Sequence, residues 1–382
     1  IEDATIEGDV DDDLLATVAQ TSMTGKGTGD IDAEHLSRLV VEAVRHVESD
    51  GGVDRDAINV HTLVGAAASA TSLIEGVVLD EEPMRDDMPR QFEDTTVALL
   101  DVDIEPKETD TDVEYNITSS DQFDAAIAAE DEELQEYVQI LSDLGVEVVF
   151  TTGDVDNRAA TMFAKRDISV FEDIGSDDAD TISAATGASL TKVIEDIDEA
   201  RLGVAESLRT ERFGEEEQTI VEGQDSKTIT LFARGGTEHV ADELERTLID
   251  AVDVTVATLS DGDAVPGAGA IEIQIADRVR SRATEITGRQ QLAAEAFADA
   301  IDVLPRTIAT NAGMDPVDAL VELRSANERG VAGVISQGDD ARIGDPIEQG
   351  VIDPAEVKRE AVRNATEAAR MIIRIDDVIA SD

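Results

Sequence analysis

The sequence predicts a multidomain α+β chain, and three observations lead there. Its 382 residues exceed what one ordinary core organises. Between residues 95 and 233, short β-branched runs alternate with helical stretches, the signature of βαβ units with parallel strands. From Thr237 onward the pattern is almost entirely helical. Hydrophobic residues make up 41% of the chain, enough for a sizeable interior, but aromatics are only 3% and Trp is absent. Val, Ile, Leu and Ala must therefore build the core.

Residues 11–50 read as two helices around "TSMTGKGTGD"; in the second, Leu36, Val40, Val44 and Val47 form a helical stripe. "INVHTLVG" and "LIEGVVL" are β-like, and "DEEPMRDDMPR" is a turn-rich boundary. "TTVALLDVDI" (95–104) is a strand, and the polar strip from Lys107 is a loop or an extended projection. The helix that follows carries Phe123, Ile127, Leu134, Val138 and Leu141 on one face, with Ser120 or Asp121 as its cap. "VEVVF" is a short buried strand and "ISVFE" is strand-like, the two separated and followed by helices, and "KTITLFA" (227–233) is the last strand of the region. Five long helices come next. Pro305 kinks or ends the third of them, while Asp315-Pro316 and Asp353-Pro354 supply N-caps followed by Pro at the first helical position.

Eighty-seven acids against 30 bases give a net charge of −57, and only six of those bases are Lys. A field of that sign opposes nucleic acid and anionic membranes. The acids interleave with apolar residues at helical spacing, so the reading is a folded protein adapted to molar salt and needing it. There is no Cys and hence no disulfide or thiolate chemistry. No apolar run is long enough for a membrane helix, and no signal peptide is visible, so the expected location is the cytoplasm. The first residue, Ile1 rather than Met, suggests that an N-terminal portion is missing.

Several constellations invite chemistry. Gly235 and Gly236 join a strand to a helix capped by Thr237; they serve either as a plain turn or as a hinge between rigid bodies. Asp250 follows Arg246 by four residues, which permits an exposed ion pair worth about a few tenths of a kcal/mol. "DGDAVPGAGAIE" (261–272) puts Gly267 and Gly269 ahead of a helix, an arrangement suited to an anion or to a simple turn. "TGKGTG" fails the phosphate-loop pattern, because Lys26 is followed by Gly27. "DVDN" (154–157) fails the calcium-loop pattern, and the four histidines lack metal-binding spacing.

Three longer stretches carry a family likeness. "RGGTEHVADELERTLIDAV", "GRQQLAAEAFADAIDVLPRTIATNAGMDPVDALVELR" and "GVIDPAEVKREAVRNATEAARMIIRIDDVI" resemble the C-terminal half of a group II chaperonin of the archaeal thermosome type, haloarchaeal-like in composition. "QTSMTGKGTGD" resembles that family's loop after the first equatorial stretch. The resemblance implies an ATP-driven folding machine, a double ring of subunits that encloses unfolded polypeptide. Each subunit has a helical equatorial domain, a small α/β intermediate domain, and a βα-layered apical domain with a helical protrusion. The corresponding map is 1–10 for the end of an N-terminal equatorial segment, 11–77 intermediate, 78–228 apical with a lid near 107–140, 229–261 intermediate, and 262–382 equatorial. By the same resemblance Asp250 orients or deprotonates the water that attacks ATP, Gly267 and Gly269 lie beside the nucleotide, and Asp353 is near the ribose. Lys26 senses the γ-phosphate, and Gly235 and Gly236 are the hinge. ATP, Mg²⁺ and K⁺ are the implied cofactors. Unfolded proteins and other chaperonin subunits are the implied partners, with no nucleic acid and no membrane.

Two departures stand out. The family's middle glycine is Ala268, and the residue before that turn is Pro266. The family's Gly-Asp-Gly-Thr-Thr motif has no counterpart here. The resemblance puts that motif and the Mg²⁺ carboxylate ahead of Ile1, in a segment this chain would lack. The expectation is then weak ATP binding by this chain alone and an exposed apolar face from 262 onward. The alternative is a non-enzymatic truncated fragment that only binds unfolded protein.

Overall fold

The computed structural model describes residues 1, 4–6, 10–24, 33–49, 52–106, 120–214, 216–224, 226–337 and 340–373. Lys26 and its loop, the polar strip 107–119, and the side chains of Ser120, Asp121 and Phe123 lie outside what is described. The chain forms two compact units, one of Ile1–Arg55 with Arg246–Asp382 and one of Asp56–Glu245.

The first unit begins with α1 (Asp12–Thr24) and α2 (Ala33–His46). Leu15, Val18, Ala19 and Met23 of α1, and Leu36, Val40 and Val44 of α2, are buried, so the stripe read from the sequence is a packed face. Arg45 joins the polar sides, donating to Asp12 and Glu48 at 2.8 Å each. A short hairpin, β1 (Glu48–Ser49) with β2 (Gly52–Val53), follows.

The second unit holds two sheets. Its strands begin with β3 (Ile58–Val64), β4 (Ser72–Ile74), β5 (Gly76–Leu79) and β6 (Gln91–Leu100). Next in the chain come α3 (Ser120–Asp143), β7 (Val148–Thr151), α4 (Asn157–Ala164), β8 (Ser169–Phe171) and α5 (Ser176–Thr186). The sheets are completed by β9 (Gly203–Phe213), β10 (Glu216–Gly223) and β11 (Ile229–Gly235). The larger sheet runs β5-β10-β9-β6-β7-β8 and the smaller one β3-β11-β4. The predicted parallel pairing holds for β6–β7 and β7–β8. The antiparallel β9–β10 hairpin has no counterpart in the sequence reading. Charged residues interrupt both of its strands, so no continuous apolar run announces them.

Period-two alternation divides the β6–β8 core between two faces. Ala98, Leu100, Val149 and Val170 meet Leu134, Val138 and Leu141 of α3 and Phe163 of α4. Val97, Leu99, Val148, Phe150 and Phe171 meet Ile182 of α5. Both faces are covered, which is why these strands read as unbroken apolar runs. The rings of Phe150 and Phe171 stack at 4.7 Å. Close backbone approach around β10 depends on glycine: a Cβ on Gly223 would stand 1.7 Å from Ala185 O, and one on Gly76 1.9 Å from Val221 O.

The chain continues into α6 (Glu238–Asp261), β12 (Ala264–Pro266), α7 (Ala270–Ala283), α8 (Arg289–Ile301), α9 (Val303–Asn311) and α10 (Pro316–Asn327). Next come the hairpin β13 (Gly333–Gln337) and β14 (Asp340–Gly344), then β15 (Ile352–Pro354) and α11 (Ala355–Ile373). Thr237 caps α6 through its Oγ1, which accepts from Val240 N–H at 3.4 Å. Asp315 caps α10, accepting from the N–H groups of Val317 and Asp318. The break expected at Pro305 falls upstream, at Asp302 between α8 and α9. Proline removes the bond to the carbonyl four residues back and crowds it, so the interruption appears one turn earlier. The buried Asp302 carboxylate there accepts from both Arg280 and Arg324. Asp353-Pro354 does not cap α11 as expected, because both residues belong to β15. On the later helices Leu292, Val303, Leu304, Val317 and Val321 are each at least half exposed. Among the described residues, no helix is long and apolar enough to cross a membrane.

The packing around β10 sets one stability outcome. Gly223→Ala must displace the Ala185 backbone and is expected to cost about 1–3 kcal/mol, read as a lower denaturant midpoint in molar KCl. Gly236→Ala, where a Cβ meets open space, is its control and leaves stability within about 0.5 kcal/mol. A second outcome concerns pH. Burial and the charges of Asp178, Asp173 and Asp80 push the Glu81 carboxyl up from 4.5 to about 7. The folded chain thus keeps a proton that the unfolded chain releases near 4.5. That contribution to stability is full below 4.5 and is lost as pH rises through about 7. The thermal midpoint in molar KCl is expected to fall across that window. Glu81→Gln flattens the slope and raises stability above it by about 1 kcal/mol, solvent screening allowed for.

Candidate functional site

Two strands far apart in the chain build the candidate site. β12 and β15 pair antiparallel, setting Ala264 opposite Pro354, Val265 opposite Asp353 and Pro266 opposite Ile352. Apolar side chains seal the ladder: Ala264 and Ile352 pack with Leu14 and Val18 of α1 and Val254 of α6. Thr21 of α1 fastens the approach to β15. Its Oγ1 lies 3.0 Å from Gly350 O and accepts from Ile352 N–H at 3.2 Å.

β12 runs into the turn Gly267-Ala268-Gly269, and α7 starts at the next residue. The Gly267 N–H donates to Val351 O at 2.9 Å, and Ala268 O accepts from Val334 N–H at 2.9 Å, so backbone holds the turn from two sides. Ala268 has a φ of 55° and Gly269 one of 81°. A left-handed alanine costs roughly 1–2 kcal/mol, so this turn carries strain at Ala268. Gly269 is also demanded by contact, since a Cβ there would stand 2.9 Å from Pro305 Cβ. A Cβ on Gly267 would stand 3.0 Å from both Asp353 Oδ2 and Val351 O. The bare backbone at Gly267 therefore lets the turn pack directly against the Asp353 carboxylate and Val351.

Asp353 is held by an ion pair. Its Oδ2 accepts from Lys358 Nζ at 2.8 Å, and Lys358 also donates to Glu272 Oε1 at 2.9 Å. Burial by itself lowers the Lys358 pKa, but the Glu272 and Asp353 carboxylates outweigh it and hold the ammonium above its usual range. Glu272 is buried in the first turn of α7, and its Oε2 has no partner among the described residues. Sequence reasoning singles out neither Lys358 nor Glu272. A lysine shortly after Asp353 in so acidic a chain is the one available signal; nothing local points to its partner 86 positions away.

The structure thus brings Gly267, Gly269 and Asp353 together. Asp250 is half-buried on α6, one turn before Val254 and on the same stripe. Arg246, the partner that spacing offers for an exposed pair, is exposed where Asp250 is not. Lys26 lies outside the described residues; α1 ends two residues before it. In the other unit, Gly235 pairs with Val64, and its O accepts from Gly65 N–H at 2.8 Å. A Cβ on Gly235 would stand 2.6 Å from Ala241 N, so the end of the strand packs closely against the first turn of α6. Among the described residues, no group of three or more His, Asp or Glu is arranged to hold a metal ion.

Comparison with known proteins agrees with this architecture. The family model described as the TCP-1/cpn60 chaperonin family matches residues 1–382. Thermosome subunit 3 of Haloferax volcanii is 53% identical over 385 residues, which cover 100% of this chain and 74% of that protein. Thermosome subunit alpha of Halobacterium salinarum is 43% identical over 386 residues, covering 100% and 68%. The solved open-state monomer of a group II chaperonin from Methanococcoides burtonii matches with a TM-score of 0.70 at 31% identity, over 98% of this chain and 88% of that one. The multidomain α+β architecture is therefore that of a group II chaperonin, and the chain belongs to the TCP-1/cpn60 chaperonin family.

Proposed function

We propose that this chain works as a subunit of an ATP-dependent chaperonin, which binds unfolded polypeptide and folds it in a closed ring chamber, and that its ATP is held at the β12–β15 ladder. Family membership sets the class of activity. The alternative, a fragment that only binds unfolded protein, gains no support from the relatives. The observation that carries the site is that one ladder sets a glycine turn beside the Asp353 carboxylate, with Val254, one turn after Asp250 on α6, packed against the same two strands. One contact supports the reading: bare backbone at Gly267 brings the turn against the Asp353 carboxylate, which a side chain there would meet at 3.0 Å, so backbone and carboxylate are presented side by side.

Each residue then has a physical task. Asp353, a carboxylate with acceptors only, takes a hydrogen bond from a ribose hydroxyl. The Gly267 N–H is already bonded to Val351, so phosphate oxygens draw on Ala268, Gly269 and the start of α7, where the helix dipole favours negative charge. Asp250 accepts from the attacking water and orients it, and Lys26 lends positive charge toward the γ-phosphate. Mg²⁺ supplies neutralising charge to the phosphates when bound and K⁺ accompanies it; no residue of this chain is assigned to either. Gly235 and Gly236 act as the hinge.

The domain map belongs to the same proposal: 1–10 ends an N-terminal equatorial segment, 11–77 and 229–261 are intermediate, 78–228 apical, and 262–382 equatorial. The six-stranded sheet and its flanking helices, all within residues 76–223, support the apical assignment. Further chaperonin subunits in a double ring and unfolded proteins are the partners, in a salt-rich cytoplasm. The charge of −57 supports the exclusion of nucleic acid and membrane.

Asp250→Ala tests the chemistry. In the assembled protein at molar KCl with Mg²⁺, kcat for ATP hydrolysis is expected to fall by about 10²–10⁴-fold, with nucleotide binding retained. Unchanged turnover overturns the role given to Asp250.

A further inference from the structure

Lys358 and Glu272 have no part in the reaction as described, yet they surround Asp353 with buried charge. The side chains of Lys358 and Glu272 are 22% and 5% exposed. Lys358 Nζ bridges Asp353 Oδ2 at 2.8 Å and Glu272 Oε1 at 2.9 Å. Glu272 keeps its second oxygen buried without a partner among the described residues, an arrangement that costs free energy. Replacing a buried ion pair with apolar side chains is often neutral or stabilising, so stability alone does not explain this one. The pair also has a direction. Glu272 stands in the first turn of α7, directly after the Gly267-Ala268-Gly269 turn, and Lys358 stands in the first turn of α11, directly after β15. Their contact ties together the two helix starts that flank the ladder. The Asp353 oxygen that Lys358 holds is the one that would meet a Cβ on Gly267.

We propose that Lys358 is a positioning residue for nucleotide recognition: anchored by Glu272, it fixes the Asp353 carboxylate beside the Gly267 turn with one oxygen engaged, so that the other accepts from a ribose hydroxyl. An unanchored aspartate rotates among staggered rotamers and presents that acceptor only part of the time. This inference rests on the reading of Asp353 given under the proposed function, and the experiment separates the two.

The assembled protein hydrolyses ATP and, in parallel, its 2′-deoxy and 3′-deoxy analogues, with KM and kcat measured for each. Asp353→Asn is expected to raise KM for ATP and to erase the preference for ATP over one deoxy analogue. Lys358→Met is expected to do the same, by about tenfold in KM with a smaller change in kcat, and Lys358→Arg to restore part of the preference. A merely structural lysine would lower activity on ATP and both analogues alike. If Asp353→Asn erases the preference and Lys358→Met keeps it, positioning by Lys358 is wrong while the ribose reading stands. If the unmutated protein has no such preference, or Asp353→Asn retains it, the ribose reading fails and this inference with it. Where Lys358→Met does not assemble, Lys358→Met with Glu272→Met removes both buried charges at similar volume and carries the same expectations.

Discussion

The candidate site stands or falls with the pairing of β12 and β15. Each strand is three residues long, and they lie far apart in the chain, so the ladder is closed at an entropic cost that its few hydrogen bonds do not meet alone. Packing supplies the rest. Val18, Ala264 and Ile352 are buried together, and Leu14 and Val254 lean on them. The Ala355 N–H adds a bond to Asp263 O at 3.1 Å, fixing where α11 leaves the strand. Once that ladder exists, Asp353 faces the glycine turn and Lys358 reaches both carboxylates; without it neither helix start has a reason to be near the other.

The acidity of the chain gives its few cations unusual structural weight. Arg158 draws in Glu130, Asp131 and Asp156, at 3.2, 2.9 and 2.9 Å. Arg209 holds Glu211 and Glu222, and Asp302 is held by two arginines at once. The more exposed pairs, such as those around Arg158, add little one by one. Their collective effect is to place bases where acids would otherwise face one another, and the remaining repulsion is short-ranged once molar salt cuts the screening length to about 3 Å. The charges at Lys358, like those at Asp302, are mostly out of water, and the loss of any one member leaves the others uncompensated.

Much of the architecture is readable along the chain. The α2 stripe, the Thr237 and Asp315 caps and the doubly buried strands of the βαβ region all depend on neighbours within a few residues, and each appears where its pattern predicts, whereas on α3 the predicted stripe is buried at Leu134, Val138 and Leu141 but exposed at Ile127. The β9–β10 and β13–β14 hairpins escape such a reading because their stability comes from cross-strand partners rather than from an apolar run. The break at Asp302 shows a subtler limit: Pro305 announces an interruption, and the hydrogen bond it deletes moves that interruption a turn upstream.

The candidate site divides in the same way. Read alone, the chain specifies its family through three long motifs and its acid-rich surface through composition; the candidates Asp250, Gly267, Gly269 and Asp353 come from that likeness. Folding, and no local preference, settles that Asp353 is a strand residue and no helix cap, that Gly267 and Asp353 are neighbours, and that Lys358 and Glu272 stand behind them. An Asp-Pro pair has the same local preferences at a helix start and at a strand end, and a carboxylate's partners are chosen by which distant segments the core brings alongside it.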